Sequence, residues 1–376
     1  MASIPPTMKA LVLPNAGASL ELRTVPTPNA VSGSVVVKVL ATLLSDKHEH
    51  MFAGHFFTFP PDYTPGGQAI GRVAAIGPDT TSLAPGQLVL IHSFVRARDD
   101  PNGVQILWGA FDGATPQTKK FFKDNYAAGT FAEYVRAPLE VVEPLNERKL
   151  LDPASKGGLG YTVEALLQLA NQIVPFGGFR GISLQPGERV IVAPATGQFS
   201  GAAVQVAIAM GAQVIAVGRN LDKLKQVQAL YPAGRVQVVA VTGDEKADTE
   251  AMKQWGPVDA YMDVSPGSAS GPQNHVRACF GALGQYGRVS LMGVIQDDIA
   301  LPYMTAVWNN LTIRGQYMYE REDVKLAIKM AEAGVLKLGT EDGIEVVGKF
   351  QLEDVGKAFV AASQNAGIGK IVALTP

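Results

Sequence analysis

The residues with the clearest chemical meaning lie between Arg189 and Lys223. A short apolar run, Val190–Ala193, is followed by a turn of small residues, an apolar helix and a second apolar run. A parallel β-α-β unit of this kind directs backbone N–H groups and a helix N-terminus at a phosphate. The stretch therefore predicts a dinucleotide site. The predicted binding residues of the turn are Thr196, Gly197, Gln198, Phe199 and Ser200.

The turn departs from the usual dinucleotide fingerprint, Gly-x-Gly-x-x-Gly. The corresponding residues are Ala195, Gly197 and Ser200, followed by Gly201. The middle glycine, which lets the backbone approach a pyrophosphate, is present, and small flanking residues still allow the turn. A small-residue turn at a helix–strand crossing would look the same. The nucleotide interpretation therefore depends on the alternating strands around the turn.

The second apolar run ends in Gly218-Arg219-Asn220. Folds of this type that prefer NAD normally carry Asp or Glu here, which binds the ribose 2′-hydroxyl. Arg219 can instead pair with a 2′-phosphate through a charge-assisted, bidentate contact, and Lys223 can add a second positive charge. The alternative is a solvated arginine at a strand end. We favour NADP(H) over NAD(H), with Gly218 and Asn220 also in the site.

The elements that position these residues alternate between apolar strands and helices from about Arg189 onwards. The predicted strands are Val190–Ala193, Gln213–Val217, Val236–Val241, Val258–Val264, Arg288–Gly293 and Leu311–Gly315. The predicted helices include Gly201–Met210, Asn220–Leu230 with Asn220 as its N-cap, and Arg321–Ala333. Buried strands with such crossovers predict a doubly wound, mostly parallel sheet in an α/β fold.

Residues up to about 150 are instead typical of twisted β structure. Ser34–Leu40, Ala69–Ile76 and Gln87–Ile91 are predicted strands bounded by Gly-Pro and Pro-Gly turns. A polar lobe, Arg96–Tyr126, lies between the last of them and residue 150. The chain returns to short strands after Gly334, and we expect these to rejoin the first domain.

Composition limits the function classes. A chain of 376 residues with 47% hydrophobic and 18% charged residues predicts a soluble globular protein of two domains. A net charge of -2 gives no reason to expect a nucleic-acid or membrane partner. The one cysteine, Cys279, excludes an intramolecular disulfide and is expected to be a buried core thiol. With no signal-peptide pattern and no long apolar run, the expected compartment is the cytoplasm.

The order of the motifs resembles that of the medium-chain dehydrogenase/reductase superfamily over essentially the whole chain. The motifs are Met8–Val12, Pro65–Val73, Pro85–Val89, Gly129–Val135, the β-α-β segment and Gly369–Val372. The resemblance implies a GroES-like β-rich catalytic domain at 1–155 and 335–376, which carries substrate. It also implies a Rossmann dinucleotide-binding domain at 156–334.

Most alcohol dehydrogenases of this family hold a catalytic zinc with Cys, a Gly-His-Glu motif and a later Cys or Asp. Leu43 stands where the first cysteine would be, Gly66-Gly67-Gln68 replaces Gly-His-Glu, and Gly158 falls near the third position. Leucine and glycine side chains cannot bind zinc, and one glutamine is a poor ligand. The lobe also lacks the cysteines of a structural zinc site. We therefore expect a zinc-free member with no metal ligand.

Ser45 and His48 match the hydroxyl and imidazole that relay a proton in those zinc enzymes. A hydroxyl and a histidine near pKa 6.5 can move a proton without a metal, and hydrogen-bond donors must then stabilise the developing oxyanion. Ser45 and a nearby tyrosine, Tyr63 or Tyr161, are the candidate donors.

The same residues have simpler interpretations. Residues 47–50 can be a solvated polar turn, with Ser45 as a helix cap. A metal cluster of His48, His50 and His55 is a third interpretation, and we favour the polar turn over it.

The resemblance places further residues beside the cofactor. Thr162 would lie next to the nicotinamide, and Lys370 near the pyrophosphate. Ser265, Gly293 and Val294 end strands at which the family binds ribose and carboxamide.

These residues predict an NADPH-dependent, metal-free oxidoreductase that transfers hydride to a small or medium hydrophobic enone or quinone. One alternative is a ketone or aldehyde reductase that uses a Ser45/His48 proton relay. Another is a non-catalytic NADPH-binding protein. Family members commonly dimerise through an edge strand of the Rossmann sheet, and the resemblance implies a homodimer joined at Leu311–Gly315.

Overall fold

The computed structural model describes residues 4–54, 59–267 and 274–376. Its contacts divide the chain into two units. The first comprises 1–170, 345–366 and 370–376, and the second comprises 171–344 and 367–369. The boundaries fall at 170/171 and 344/345, later than the predicted 155/156 and 334/335.

Local packing explains these later boundaries. The helical turn Ala165–Leu167 is buried and contacts two strands of the first unit, Ser34–Leu44 and Ala69–Ile76. In the second unit, the side-chain amides of Gln172 and Gln205 donate to the carbonyls of Lys337 and Asp342. These bonds tie residues 337–342 to the second unit.

The strands are β1 Thr7–Val12, β2 Glu21–Pro26, β3 Ser34–Leu44, β4 Ala69–Ile76, β5 Leu88–Ile91, β6 Phe94–Arg96, β7 Gln105–Leu107, β8 Tyr134–Pro138, β9 Val142–Pro144, β10 Arg189–Ala193, β11 Gln213–Gly218, β12 Val236–Ala240, β13 Val258–Asp263, β14 Leu283–Leu291, β15 Thr312–Gly315, β16 Glu345–Phe350 and β17 Lys370–Leu374. The α-helices are α1 His48–Phe52, α2 Pro116–Asn125, α3 Glu147–Leu151, α4 Gln168–Gly181, α5 Gln198–Ala209, α6 Leu221–Ala229, α7 Glu245–Lys253, α8 Asn274–Ala282, α9 Tyr303–Trp308, α10 Arg321–Glu332 and α11 Val355–Gln364.

The second unit contains a six-stranded sheet in the order β12-β11-β10-β13-β14-β15, with every pairing parallel. This is the doubly wound order in which ligands bind at the carboxyl ends of the strands, where the winding reverses between β10 and β13. The predicted strands and the parallel sheet are confirmed. Asn220 caps α6 as predicted, and Cys279 is buried in the core.

The first unit is built on a larger, mostly antiparallel sheet in the order β16-β17-β3-β4-β5-β9, with β8 also paired to β3. Because β17 pairs antiparallel with β3, the C-terminal strands do rejoin the first domain, as predicted. The polar lobe is ordered: Thr115 caps α2, and the indole N–H of buried Trp108 donates to the carbonyl of Tyr126 at 3.0 Å.

Within the part of the chain that the structure describes, no helix combines the length and apolar character needed to cross a membrane.

Candidate functional site

The predicted phosphate-binding turn connects β10 to α5. The N–H of Ala195 donates to the carbonyl of Val217 at 2.8 Å, which holds the turn against β11. Gly197 precedes the helix, and its N–H donates to the hydroxyl of Ser200 at 2.9 Å. The buried Ser200 side chain therefore caps α5 from within. Thr196, Gln198 and Phe199 remain half-buried or exposed around the helix start.

Close packing in this unit depends on Gly201 rather than on Ser200. A Cβ atom at Gly201 would lie 2.4 Å from Cγ1 of Ile368, so only glycine fits there without a shift. Gly197 has an ordinary φ of -87°. The counterpart of the third glycine of the fingerprint is thus Gly201, one residue after the expected position at Ser200. The sequence indicated Gly201 but not its contact with Ile368, which lies far away in the chain.

The end of β11 presents positive charge. Gly218 is buried, whereas Arg219, Asn220 and Lys223 are exposed. The side-chain oxygen of Asn220 accepts the N–H of Lys223 at 3.0 Å, which leaves the Asn220 amide N–H₂ for other contacts. Among the described residues, no carboxylate forms an ion pair with Arg219 or Lys223. Both cations are therefore available for an anion.

A buried polar cluster lies at the carboxyl end of β13. The Ser265 hydroxyl donates to Oδ1 of Asp263 at 2.6 Å and lies 3.1 Å from Nε2 of His275. The Tyr261 hydroxyl donates to the same carboxylate oxygen at 3.2 Å. Burial raises the pKa of Asp263, and it lowers the pKa of His275. Sequence reasoning found Ser265 but missed Asp263 and His275, although an acid at a strand end was a usable signal.

Gly293 makes room for this cluster. A Cβ atom at Gly293 would lie 2.2 Å from Oδ2 of Asp263. The next residue, Val294, is exposed, and its N–H donates to the carbonyl of Ser265 at 2.9 Å. The structure thus brings the predicted residues Ser265, Gly293 and Val294 together at one edge of the sheet.

In the first unit, Ser45 lies in the turn after β3, and His48 is the first residue of α1. The backbone N–H of Ser45 donates to Nδ1 of His48 at 3.1 Å, and the Ser45 hydroxyl donates to Asp46 at 3.1 Å. The same hydroxyl accepts the N–H of Lys47 at 3.2 Å. These hydrogen bonds all lie within residues 45–48 and are typical of a local polar turn. They hold Ser45 and His48 next to each other.

The ring of His48 is packed among aromatic side chains. It stacks on Phe52, with ring centroids 5.7 Å apart, and meets the edge of Phe131 at 5.5 Å. Burial lowers the pKa of His48 to about 4, against a smaller opposing effect of Asp46. His48 is therefore neutral near pH 7, whereas the sequence suggested a histidine near pKa 6.5.

Tyr63 lies inside the core of the first unit. Its ring stacks on Phe59 at 5.0 Å, and its hydroxyl is buried without a hydrogen-bond partner among the described residues. Burial raises the pKa of Tyr63 well above its usual value. Since the hydroxyl has no exposed surface, this placement argues against the prediction that Tyr63 stabilises a substrate oxyanion. Its burial depends on long-range packing.

Two predicted cofactor residues of the first unit are engaged locally. The Thr162 hydroxyl is exposed and accepts the N–H of Ala165 at 3.2 Å, at the start of a helical turn. Lys370 opens β17 and pairs with Glu345 on the neighbouring strand β16. A pyrophosphate would compete with that carboxylate for Lys370.

Two of the positions of the absent zinc ligands, Gly67 and Gly158, have no room for a side chain. A Cβ atom at Gly67 would lie 1.9 Å from the carbonyl oxygen of Trp108, and one at Gly158 would lie 2.0 Å from the carbonyl oxygen of Asp152. Leu43 is buried within β3. Zinc therefore does not fit the residues present. No group of three or more His, Cys, Asp or Glu side chains able to hold a metal occurs within 4–54, 59–267 and 274–376; His55 lies outside these residues.

Comparison with known proteins agrees with this architecture. Residues 31–147 match the alcohol dehydrogenase GroES-like domain, and residues 200–333 match the zinc-binding dehydrogenase family. An alcohol dehydrogenase of Rhizobium meliloti is 27% identical over 331 residues, which cover 87% of this chain and 89% of the relative. The chain belongs to the medium-chain dehydrogenase/reductase superfamily.

Other members of this superfamily carry different activities in their names. An acryloyl-coenzyme A reductase of Metallosphaera sedula is 22% identical, covering 98% of this chain and 100% of the relative. The solved quinone oxidoreductase of Thermus thermophilus, described with its NADPH complex, has a TM-score of 0.64 at 23% identity, covering 98% of this chain and 100% of that chain. As a member of this superfamily, the protein is an oxidoreductase of a nicotinamide-binding type, with a GroES-like unit and a Rossmann unit.

Proposed function

We propose that this medium-chain dehydrogenase/reductase is an NADPH-dependent, metal-free oxidoreductase that reduces a small or medium hydrophobic enone or quinone. One observation carries the proposal. The backbone carbonyl of Trp108 occupies the space that a side chain at Gly67 would need. A metal ligand at that position would require the polar lobe to move, which supports activation of the substrate without a Lewis acid.

The cofactor preference is supported by the end of β11. Arg219 and Lys223 are exposed cations next to a strand end without an acidic residue, and a 2′-phosphate is the group that distinguishes NADPH from NADH. Once bound, the nicotinamide would supply the hydride. The turn at Gly197 and the α5 N-terminus would bind the pyrophosphate, with Ser265, Gly293 and Val294 further along the same edge of the sheet.

The proposed substrate class follows from the negative charge that hydride transfer leaves on the substrate. A hydride added to an isolated carbonyl leaves an alkoxide, which needs a metal, strong hydrogen-bond donors or a proton. In an enone or quinone the electrons move through the conjugated system to an oxygen, so the charge is spread before a proton from solvent neutralises it. With its pKa lowered to about 4, His48 is almost never an imidazolium near pH 7 and is therefore a poor general acid for an alkoxide.

One observation favours the alternative, ketone or aldehyde reduction. The Ser45 hydroxyl and the His48 ring are held in one turn, and the hydroxyl touches the Asp46 carboxylate. A third function is NADPH binding without catalysis. It is supported only by the lack of room for a metal-binding side chain at Gly67.

The test is NADPH consumption with a matched panel of quinones, enones and saturated ketones, with metal content measured on the same sample. Turnover of quinones or enones by metal-free enzyme, unaffected by a chelator, is expected. Ketone turnover that disappears in the Ser45→Ala, His48→Ala double variant would establish the relay reductase instead. Binding of NADPH without turnover of any substrate would establish the binding protein.

We also propose that the protein is a homodimer joined at the outer edge of the Rossmann sheet. β15 is an edge strand with every residue exposed. Large apolar side chains of α9 are exposed as well: Tyr303 by 76%, Val307 by 53% and Trp308 by 71%. Patches of this kind are rare on monomers. Light scattering should give twice the chain mass, and Trp308→Ser with Ile313→Lys should give the monomer; a monomeric wild type would refute the proposal.

A further inference from the structure

A cleft of about 230 Å³ lies within the first unit and is lined by three arginines, Arg96, Arg98 and Arg136. This arginine cleft has one wall from β3 and β8 and another from the two ends of the polar lobe. Clefts for drug-sized ligands measure about 300–1,000 Å³, so this cleft suits a smaller molecule. Of the residues that the structure describes, none that the sequence predicted for cofactor binding or catalysis lines it.

The three arginines are engaged to different degrees. The guanidinium of Arg98 pairs with Glu140 and donates to a backbone carbonyl at 2.9 Å. Cζ of Arg96 lies 5.1 Å from the centroid of the Phe94 ring, within the range of a cation–π contact. By contrast, the guanidinium of Arg136 forms no hydrogen bond or ion pair with any residue in the described part of the chain. Its five N–H donors are therefore available to a ligand.

The backbone around Arg136 is held in place by the sheet. β8 pairs with β3, with Arg136 opposite Val36, and the neighbouring Val135 and Ala137 are buried in the core. Arg136 is itself half-buried. Removing a charged group from water without a partner costs free energy, and an anion bound to the guanidinium would offset that cost. Arg136 is therefore a well-positioned, unpaired cation in a partly enclosed site.

Tyr126 lines the same cleft from the polar lobe and supplies a second donor. Its hydroxyl has no hydrogen-bond partner among the described residues, and burial raises the pKa of Tyr126 to about 12. The hydroxyl therefore keeps its proton near pH 7 and can donate it. The rest of the residue is fixed, since its carbonyl accepts the indole N–H of Trp108 at 3.0 Å and its ring meets the edge of Phe121, with centroids 5.0 Å apart.

The charges around the arginine cleft select the kind of anion. Its lining carries three arginines and two carboxylates, Asp99 and Glu140, which leaves a net charge of +1. A monoanion neutralises this excess, whereas a phosphate monoester carries about −1.5 to −2 at pH 7 and would be repelled by the two carboxylates. A planar carboxylate also fits the guanidinium fork through two parallel hydrogen bonds. The ring of Phe121 gives the cleft an apolar surface next to these donors.

We propose that the arginine cleft binds a small organic carboxylate. The carboxylate group accepts hydrogen bonds from the Arg136 guanidinium and from the Tyr126 hydroxyl, and the apolar part of the ligand packs on Phe121. Arg98 and Glu140, paired with each other, form a fixed rim. This binding site belongs to the first unit alone and does not depend on the proposed cofactor or substrate, so its test stands or falls separately.

The first test uses the wild-type protein, with benzoate as the probe and calorimetry as the measurement. We expect saturable binding of one benzoate per chain at pH 7. Benzamide, which has the same shape without the charge, should bind at least about tenfold more weakly, because hydrogen bonds to charged groups are the stronger ones. Phenyl phosphate should also bind more weakly than benzoate. Absence of saturable benzoate binding, equal affinity for benzamide, or tighter binding of phenyl phosphate overturns the inference.

The second test locates the bound benzoate with three variants. Arg136→Gln should weaken benzoate binding about 10- to 100-fold, and Tyr126→Phe, which preserves the ring packing, should weaken it about two- to tenfold. Arg148→Gln removes an exposed arginine of α3 in the same unit and is the matched control, with no expected change. Circular dichroism checks that each variant is folded, and Tyr126→Phe decides alone if Arg136→Gln does not fold. Benzoate affinity that is unchanged in the cleft variants, or is lost to the same degree in Arg148→Gln, contradicts the proposal.

Discussion

A serine, an aspartate and a histidine follow a strand in each unit of the molecule, but their side chains are connected in two different ways. After β3, Nδ1 of His48 accepts a backbone N–H, and its ring stacks on Phe52. The carboxylate of Asp46 pairs with Lys47 at 2.5 Å. His48 thus packs against backbone and aromatic carbon, although the residue remains partly exposed.

After β13, the serine connects the other two residues. Asp263 and His275 both bond to the Ser265 hydroxyl, and no basic side chain pairs with Asp263 within the described residues. The comparison shows that residue types alone do not define a proton-handling site. In the first cluster the histidine ring packs on an aromatic side chain, whereas in the second a histidine is linked to a buried acid through one hydroxyl.

The largest expected effect concerns one exposed cation of each unit, Arg219 after β11 and Lys47 after β3. Arg219→Ala should weaken NADPH binding about 10- to 150-fold, because a hydrogen bond to a charged group contributes about 1.5–3 kcal/mol. NADH binding should hardly change. Lys47→Ala, which removes the exposed cation of the other unit, is the control and should affect neither cofactor. Fluorescence titration measures all three proteins, and equal losses for both cofactors with Arg219→Ala would exclude a 2′-phosphate contact.

The next largest expected effect is on stability and concerns the carboxylates of Asp263 and Asp46. Asp263→Asn should lower the free energy of unfolding by about 1–3 kcal/mol, because buried hydroxyl donors lose their charged acceptor. Asp46→Asn breaks an ion pair with the exposed Lys47 and should cost less than about 1 kcal/mol. Urea denaturation at pH 7 compares them. Equal losses would mean that the cluster after β13 is no more tightly organised than the turn after β3.

The smallest expected effect is the dependence of the free energy of unfolding on pH below neutrality. Because the pKa of His48 is about 4 in the folded state and near 6.5 in the unfolded chain, the unfolded state binds more protons between these values. Stability should therefore be full above about pH 6.5 and fall as the pH decreases towards 4. The loss should be about 1–2 kcal/mol, reduced by solvent screening of the partly exposed ring.

His48→Phe, which preserves the stacking on Phe52, should flatten this part of the stability profile. Denaturant midpoints at pH 7, 5.5 and 4.5 provide the measurement for both proteins. An acid slope that is the same in the variant and the wild type would show that other groups cause it.

Much of the Rossmann unit could be predicted because its signals are local. The runs Val190–Ala193 and Gln213–Val217 are apolar enough to be buried on both faces, and Asn220 carries its capping chemistry in its own side chain. The candidate site was predicted less completely. Asp263 ends β13 and His275 lies in α8, and the hydrogen bond between Ser265 and His275 exists only once α8 packs beside β13.

The amino-acid sequence by itself determined the doubly wound sheet, the small-residue turn before α5, the positive charge after β11 and the absence of zinc-binding side chains at Leu43, Gly67 and Gly158. These properties depend on residue type and short spacing. Only the tertiary structure decided that the Trp108 carbonyl closes the space at Gly67, that His48 is neutral, and that Ser265 binds an acid and a histidine at once. Desolvation and hydrogen bonding depend on groups distant in the chain, and a linear pattern does not contain those distances.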